Sequence, residues 1–235
     1  RIFNSLIKPA AIALVVGTVS LYAVQLDPKN PCHKSIKKID ETYKNDKVFK
    51  VLMDQSFAHM VEAPHGYIRG GNPWMGKSYK DLPPFLEEWC EFLPKAIGSG
   101  DNGLKYIQDM DMFSYQNPFA QALFQSKLGT KLFNNYMKEY GLFMDTEAST
   151  KYVAEWLSDT CTEKEDYILP DPKAEDGGFK SFNTFFARSL KDQKKSRPQT
   201  MPDRDYVVTA PTDCIINSIP QVITDEDTLL SLIHI

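Results

Sequence analysis

From Pro9 to Leu26 the chain carries no charged residue, and Ala10-Ala11-Ile12-Ala13-Leu14-Val15-Val16, followed by Val19, Leu21, Tyr22 and Val24, is apolar on every face. A surface helix keeps one face polar, so this segment is read as a membrane anchor or a signal peptide, at the short edge of the ~17 to 25 residues that span a bilayer. Arg1 and Lys8 precede it and Asp27 follows. An anchor with those flanks keeps its N-terminal side in the cytoplasm. The breaker cluster Asp27-Pro28-Lys29-Asn30-Pro31 ends the segment and starts a new unit.

Beyond it the apolar positions recur at helical spacing. Lys34, Lys37, Lys38, Asp40, Glu41, Lys44, Asp46 and Lys47 surround Ile36, Ile39, Tyr43, Val48 and Phe49, which predicts a helix with a solvated face. Glycines and prolines between His65 and Pro84 predict irregular backbone. Phe85, Leu86, Trp89, Phe92 and Leu93 then form a buried helical stripe. After Asn117-Pro118 comes a second stripe, Phe124, Leu128, Leu132, Phe133, Tyr136, Met137 and Tyr140, closed by Gly141. Asp145 or Thr146 is placed to cap a further helix through Val153, Trp156 and Leu157.

The pattern changes near Tyr167. Pro170, Pro172, Gly177 and Gly178 predict a loop, and Ser181 a cap for a short helix with Phe182, Phe185, Phe186 and Leu190 on one face. Tyr206-Val207-Val208-Thr209 and Cys214-Ile215-Ile216-Asn217-Ser218-Ile219 read as strands about the turn Pro211-Thr212-Asp213. The expected fold class is therefore α+β. An anchor or signal occupies residues 1–27, a helical region 28–170, and the first strands of a β-rich domain 171–235. The chain begins at Arg1 and ends in the apolar run Leu229-Leu230-Ser231-Leu232-Ile233-His234-Ile235. These ends are read as truncation, with the last residues open to an unrelated reading frame.

Composition narrows the classes. The 235 residues carry a formal charge of −4, with lysines scattered among carboxylates, so nucleic acid is not an expected partner. Cys32, Cys90, Cys161 and Cys214 lie far apart with no Cys-x-x-Cys spacing. That gives neither a zinc signature nor a dense disulfide framework. His59 and His65 lack companion ligands, and no metal site is expected. By their local chemistry alone, Asp213 is a turn aspartate, Arg188 and Arg197 are surface arginines open to an anion, and the Phe182, Phe185, Phe186 cluster is core.

The combination says more. Phe179-Lys180-Ser181-Phe182-Asn183-Thr184-Phe185-Phe186-Ala187-Arg188-Ser189-Leu190-Lys191, then Arg197-Pro198, then Val207-Val208-Thr209-Ala210-Pro211-Thr212-Asp213-Cys214 resembles the phosphatidylserine decarboxylase family. That family shows a Phe-Asn-x-Phe-Phe-x-Arg helix, an Arg-Pro pair and a strand ending in Ser-Pro-x-Asp-Gly. Thr209 and Cys214 stand where Ser and Gly are usual. The helical lead-in also resembles relatives that decarboxylate free amino acids.

The resemblance implies that Asp213 is the catalytic aspartate of an Asp-His-Ser arrangement driving self-cleavage. It orients a histidine, which activates a serine; that serine's cleavage leaves a covalent pyruvoyl cofactor whose carbonyl takes up electrons as carbon dioxide leaves. No Gly-Ser-Thr or Gly-Ser-Ser sequence follows Asp213, and His234 lies outside any matching motif. Ser99 follows Gly98 but precedes the motif region and is read as a loop serine. The expectation is thus an inactive N-terminal fragment whose partner is the complementary pyruvoyl-bearing chain. Complete, it would be a membrane-associated or secretory-pathway enzyme converting phosphatidylserine to phosphatidylethanolamine. Two alternatives stand: a decarboxylase of a free amino acid such as tryptophan, and a non-catalytic, membrane-tethered helical binding module.

Overall fold

A computed structural model describes residues 26–63, 71–96, 105–159 and 162–206. The chain divides into two compact units, Arg1–Ser189 and Leu190–Ile235. Nine helices occur among the described residues: α1 (His33–Asn45), α2 (Lys47–Ala58), α3 (Leu82–Glu91), α4 (Lys105–Tyr115), α5 (Pro118–Gln125), α6 (Lys127–Met144), α7 (Val153–Ser158), α8 (Phe182–Phe186) and α9 (Gln193–Ser196). Short 3-10 turns cover Tyr79–Asp81, Glu147–Thr150 and Lys164–Asp166.

This corrects the α+β expectation. The described residues are helical and contain no strand, and none of their helices is long and apolar enough to cross a membrane. Tyr206, expected to open the first strand, sits in a turn and is 77% exposed. A strand needs a paired neighbour to take its backbone hydrogen bonds, and none lies beside Tyr206 among the described residues. The rest of that strand, the one expected from Cys214, and the apolar run from Pro9 through Gln25 lie outside the described residues.

The helices break where side chains cap backbone. The polar run read as one helix is two: Asp46 takes an extended conformation and its carboxylate accepts the Phe49 N–H at 2.9 Å, which starts α2. The long stripe after Asn117 is likewise split. Asn117 caps α5 through the Ala120 N–H and donates from Nδ2 to the Ser56 carbonyl, tying α5 to α2. Ser126 then caps α6 through the Gly129 N–H. A Cβ at position 129 would stand 1.9 Å from the Leu123 carbonyl oxygen, so the tight α5–α6 corner requires glycine there. Gly141 does not close α6: it has no positive φ, and α6 continues through it to Met144. A glycine ends a helix when it turns left-handed.

The main core of the first unit gathers Ile36 and Ile39 of α1, Phe49 and Met53 of α2, Leu86 and Trp89 of α3, Phe113 of α4, Leu123 of α5 and Tyr136 of α6. Tyr136 reaches across to donate to the Leu86 carbonyl at 2.9 Å, and burial pushes its phenol pKa upward. Cys32 and Cys90, fully buried in the same core, are joined by a disulfide across 58 positions. A second cluster, Met144, Val153, Leu157, Phe179, Phe182 and Phe185, packs α6, α7 and α8 together, with Tyr140 touching both cores. The second unit contributes α9, where the Asp192 carboxylate accepts the Lys195 N–H.

Candidate functional site

The segment that carries the family resemblance is built by local rules. Gly177 and Gly178 both take positive φ, +67° and +75°, a region open to glycine at little cost. A Cβ on Gly178 would lie 2.8 Å from Asp171. The chain turns back here because the Asp171 N–H donates to the Gly177 carbonyl and the Asp176 carboxylate accepts the Gly178 N–H. That reversal delivers Phe179 into the second core. Ser181 then starts α8 as a capping box with Thr184, as its position in the sequence predicts.

Each motif side chain has a physical task in docking α8. Phe182 and Phe185 are buried, whereas Phe186, expected in the core, stacks on Phe182 but is 74% exposed. Asn183 donates from Nδ2 to the Asp145 carboxylate at 2.8 Å and to the Gly141 carbonyl at 3.3 Å, fastening α8 to the end of α6. Asp145 therefore holds Asn183; the helix it was expected to cap begins later, at Val153 with Tyr152 before it. The Arg188 guanidinium lies 4.1 Å from the Tyr167 ring centre and 4.6 Å from that of Phe185, and donates to the Phe185 carbonyl. Its role here is cation–π packing, although its Nε is buried with no partner in the structure. Arg197, in the second unit, donates to the Ser196 carbonyl.

Sequence reasoning missed Ser149. It is fully buried, donates from Oγ to the Met144 and Thr146 carbonyls, and accepts the N–H of Phe182 at 2.8 Å. It thus satisfies one of the amides left free at the start of α8. Ser149→Ala removes this acceptor inside an apolar cluster and is expected to lower stability by about 1–3 kcal/mol, measured as a shift in urea midpoint at constant slope. A change within a few tenths of a kcal/mol would show that the bond does not matter.

The other sequence-selected residues divide simply. Asp213, Thr209, Cys214, the Gly98-Ser99 pair, His65 and Cys161 lie outside the described residues. His59 faces the Gln55 carbonyl and packs on Phe119. Among the described residues no cluster of His, Cys, Asp and Glu could hold a metal. The Cys32–Cys90 bridge was also missed, yet it left a signal. Cys32 precedes Ile36 by four positions and Cys90 follows Leu86 by four, which puts both cysteines on buried helical stripes.

A cavity of about 630 Å³ opens between α1 and α6, lined by His33, Lys34, Lys37, Lys138, Glu139 and Leu142 among others.

No family model matches the chain. Over 113 residues it is 28% identical to the protein named Decarboxylase iboD from Amanita muscaria (strain Koide BX008), a match covering 40% of this chain and 32% of that protein. The chain therefore spans about a third of the curated relative's length. That name specifies decarboxylation and neither a phospholipid nor a pyruvoyl group. The comparison suggests a decarboxylase-like protein and leaves membership of the phosphatidylserine decarboxylase family without confirmation.

Proposed function

We propose that the chain is part of a pyruvoyl-dependent carboxy-lyase that converts phosphatidylserine to phosphatidylethanolamine. The observation that carries the reading is the α8 segment. Its Phe-Asn-x-Phe-Phe-x-Arg residues resemble a decarboxylase motif, and the similarity to a named decarboxylase points to the same reaction class. Asp213 would orient the histidine that activates the self-cleaving serine, both supplied by sequence beyond the matching motifs of this chain. The covalent pyruvoyl group, once formed, would supply an electron-accepting carbonyl. Within the described part of that motif, α8 is held by Ser149, Asn183 and the Arg188–Tyr167 stack.

The apolar run Pro9–Leu26 supports a membrane or secretory-pathway setting and hence a lipid substrate. The buried Cys32–Cys90 disulfide agrees with an oxidising compartment. Thr209 and Cys214, which depart from the family's usual Ser and Gly, favour a second reading: decarboxylation of a free amino acid such as tryptophan.

Carbon dioxide release from the mature two-chain enzyme separates the readings. Supplied in parallel with phosphatidylserine vesicles and with free amino acids, it is expected to act on the lipid. Release from a free amino acid alone would establish the second reading. Release from neither would favour a non-catalytic, membrane-tethered helical module.

A further inference from the structure

We propose that the groove between α1 and α6 is a binding site for a phosphate-bearing anion, recognised chiefly by Lys34, Lys37 and Lys138. The inference does not depend on the decarboxylase reading.

Three observations converge on it. The first is shape: the cavity of about 630 Å³ has the buried Leu132 and the exposed Leu142 on one wall and α1 on the other. That size suits a phosphate ester with a small apolar portion. The second is charge. Four lysines, Lys34, Lys37, Lys38 and Lys138, face two glutamates, Glu41 and Glu139, so the lining carries +2 within a chain of charge −4. Lys38 is paired with Glu41 at 3.5 Å, and Glu139 accepts the Ser35 N–H at 3.0 Å. Lys34, Lys37 and Lys138 have no carboxylate partner among the described residues. Like charges brought together from two helices in one concave wall focus the field there.

The third observation is position. Lys34 and Lys37 sit at the beginning of α1, whose first turn contains no acidic residue and whose N-cap, Cys32, makes no side-chain cap. The N-terminal end of a helix carries partial positive charge, so lysines there are unfavourable; the Glu139 carboxylate answers one amide of that turn, at Ser35, and leaves Lys34, Lys37 and Lys138 to attract a further anion. His33, at the same end, lines the groove with its Nδ1 buried and unpartnered. Cations at the wrong end of a helix and an orphaned ring nitrogen are each costly alone. A phosphate group in the groove compensates both with one ligand, through charge-assisted hydrogen bonds.

The phosphate could be that of a soluble ester or of a lipid headgroup, and the two have different probes. The full chain is titrated with glycerol phosphate, following thermal stability and the His33 ring resonances. In parallel it is sedimented with vesicles of phosphatidylcholine alone and of phosphatidylcholine containing phosphatidic acid. Binding to glycerol phosphate, or to the phosphatidic acid vesicles only, supports the site and assigns the source. Replacing the three lysines together (Lys34→Gln, Lys37→Gln, Lys138→Gln) is expected to weaken binding by roughly 100-fold, since one lysine beside an anionic surface is worth about a factor of five. The same neutralisation outside the groove (Lys47→Gln, Lys80→Gln, Lys173→Gln) removes equal charge and is expected to change binding only slightly. These substitutions are all at exposed positions, so both variants should fold, as circular dichroism would check. The proposal is overturned if neither probe binds, or if both triple variants lose binding equally.

Discussion

An Asp213→Ala precursor of the complete protein is expected to stay a single chain on a denaturing gel, while the unaltered precursor resolves into two. In a nucleophilic triad the carboxylate fixes the tautomer and orientation of the histidine and stabilises its charged form; losing it lowers the rate by about 10⁴-fold in the best-studied case. A self-cleavage complete in minutes would then take weeks on that scale. The contrast with a structural role is sharp. If Asp213 only closes the Pro211-Thr212-Asp213 turn, its removal costs about 1 kcal/mol of stability and leaves processing intact. Two-chain processing of the alanine variant would therefore refute the catalytic role, whatever the variant's melting temperature.

Removing the Cys32–Cys90 bridge, through Cys32→Ala with Cys90→Ala, is expected to cost about 4 kcal/mol, because the cross-link closes a loop spanning 58 positions and restricts the unfolded chain. That would be a large share of the roughly 5–15 kcal/mol by which a domain is stable. The effect should be local as well as global. The bridge fastens the segment before α1 to α3, where the Glu87 side chain accepts the Asp27 N–H and the Glu87 carbonyl accepts from the Asn30 side chain. With the bridge gone, these two bonds and the packing of Leu26 and position 32 against the core hold the segment, and amide exchange at residues 27–32 is expected to accelerate more than at the centre of α6. A urea midpoint within error of the parent's would remove the bridge from the stability account. Alkylation of both cysteines in the denatured, unreduced protein would show that it does not form.

The helical stripes were legible because helix formation is governed by neighbours three and four positions away. Trp89 with Leu86, Tyr136 with Leu132 and Phe133, and Ser181 with Thr184 all follow that rule, and the structure buries the first two groups and makes Ser181 a cap; Phe85, of the same stripe as Trp89, is only partly buried. The breaks were less legible. Asp46 and Ser126 resemble other polar residues in their runs until their backbone turns extended and their side chains cap a helix. Gly141 has the residue type of a helix stop, but a stop requires left-handed φ, and Gly141 does not take it, so α6 runs on to Met144.

By itself, the sequence determined where amphipathic helices lie in the middle of the chain, and that the residues from Phe179 to Cys214 carry a motif resembling a decarboxylase, with Asp213 its chemically interesting member. Both are short-range properties, readable from spacing and residue type. Tertiary structure alone decided that Cys32 meets Cys90, that Ser149 holds the start of α8, that Arg188 stacks on Tyr167, and that lysines 34, 37 and 138 face one groove. Each of these joins residues separated by tens of positions. Such pairings depend on how whole helices cross and pack, which no local pattern encodes.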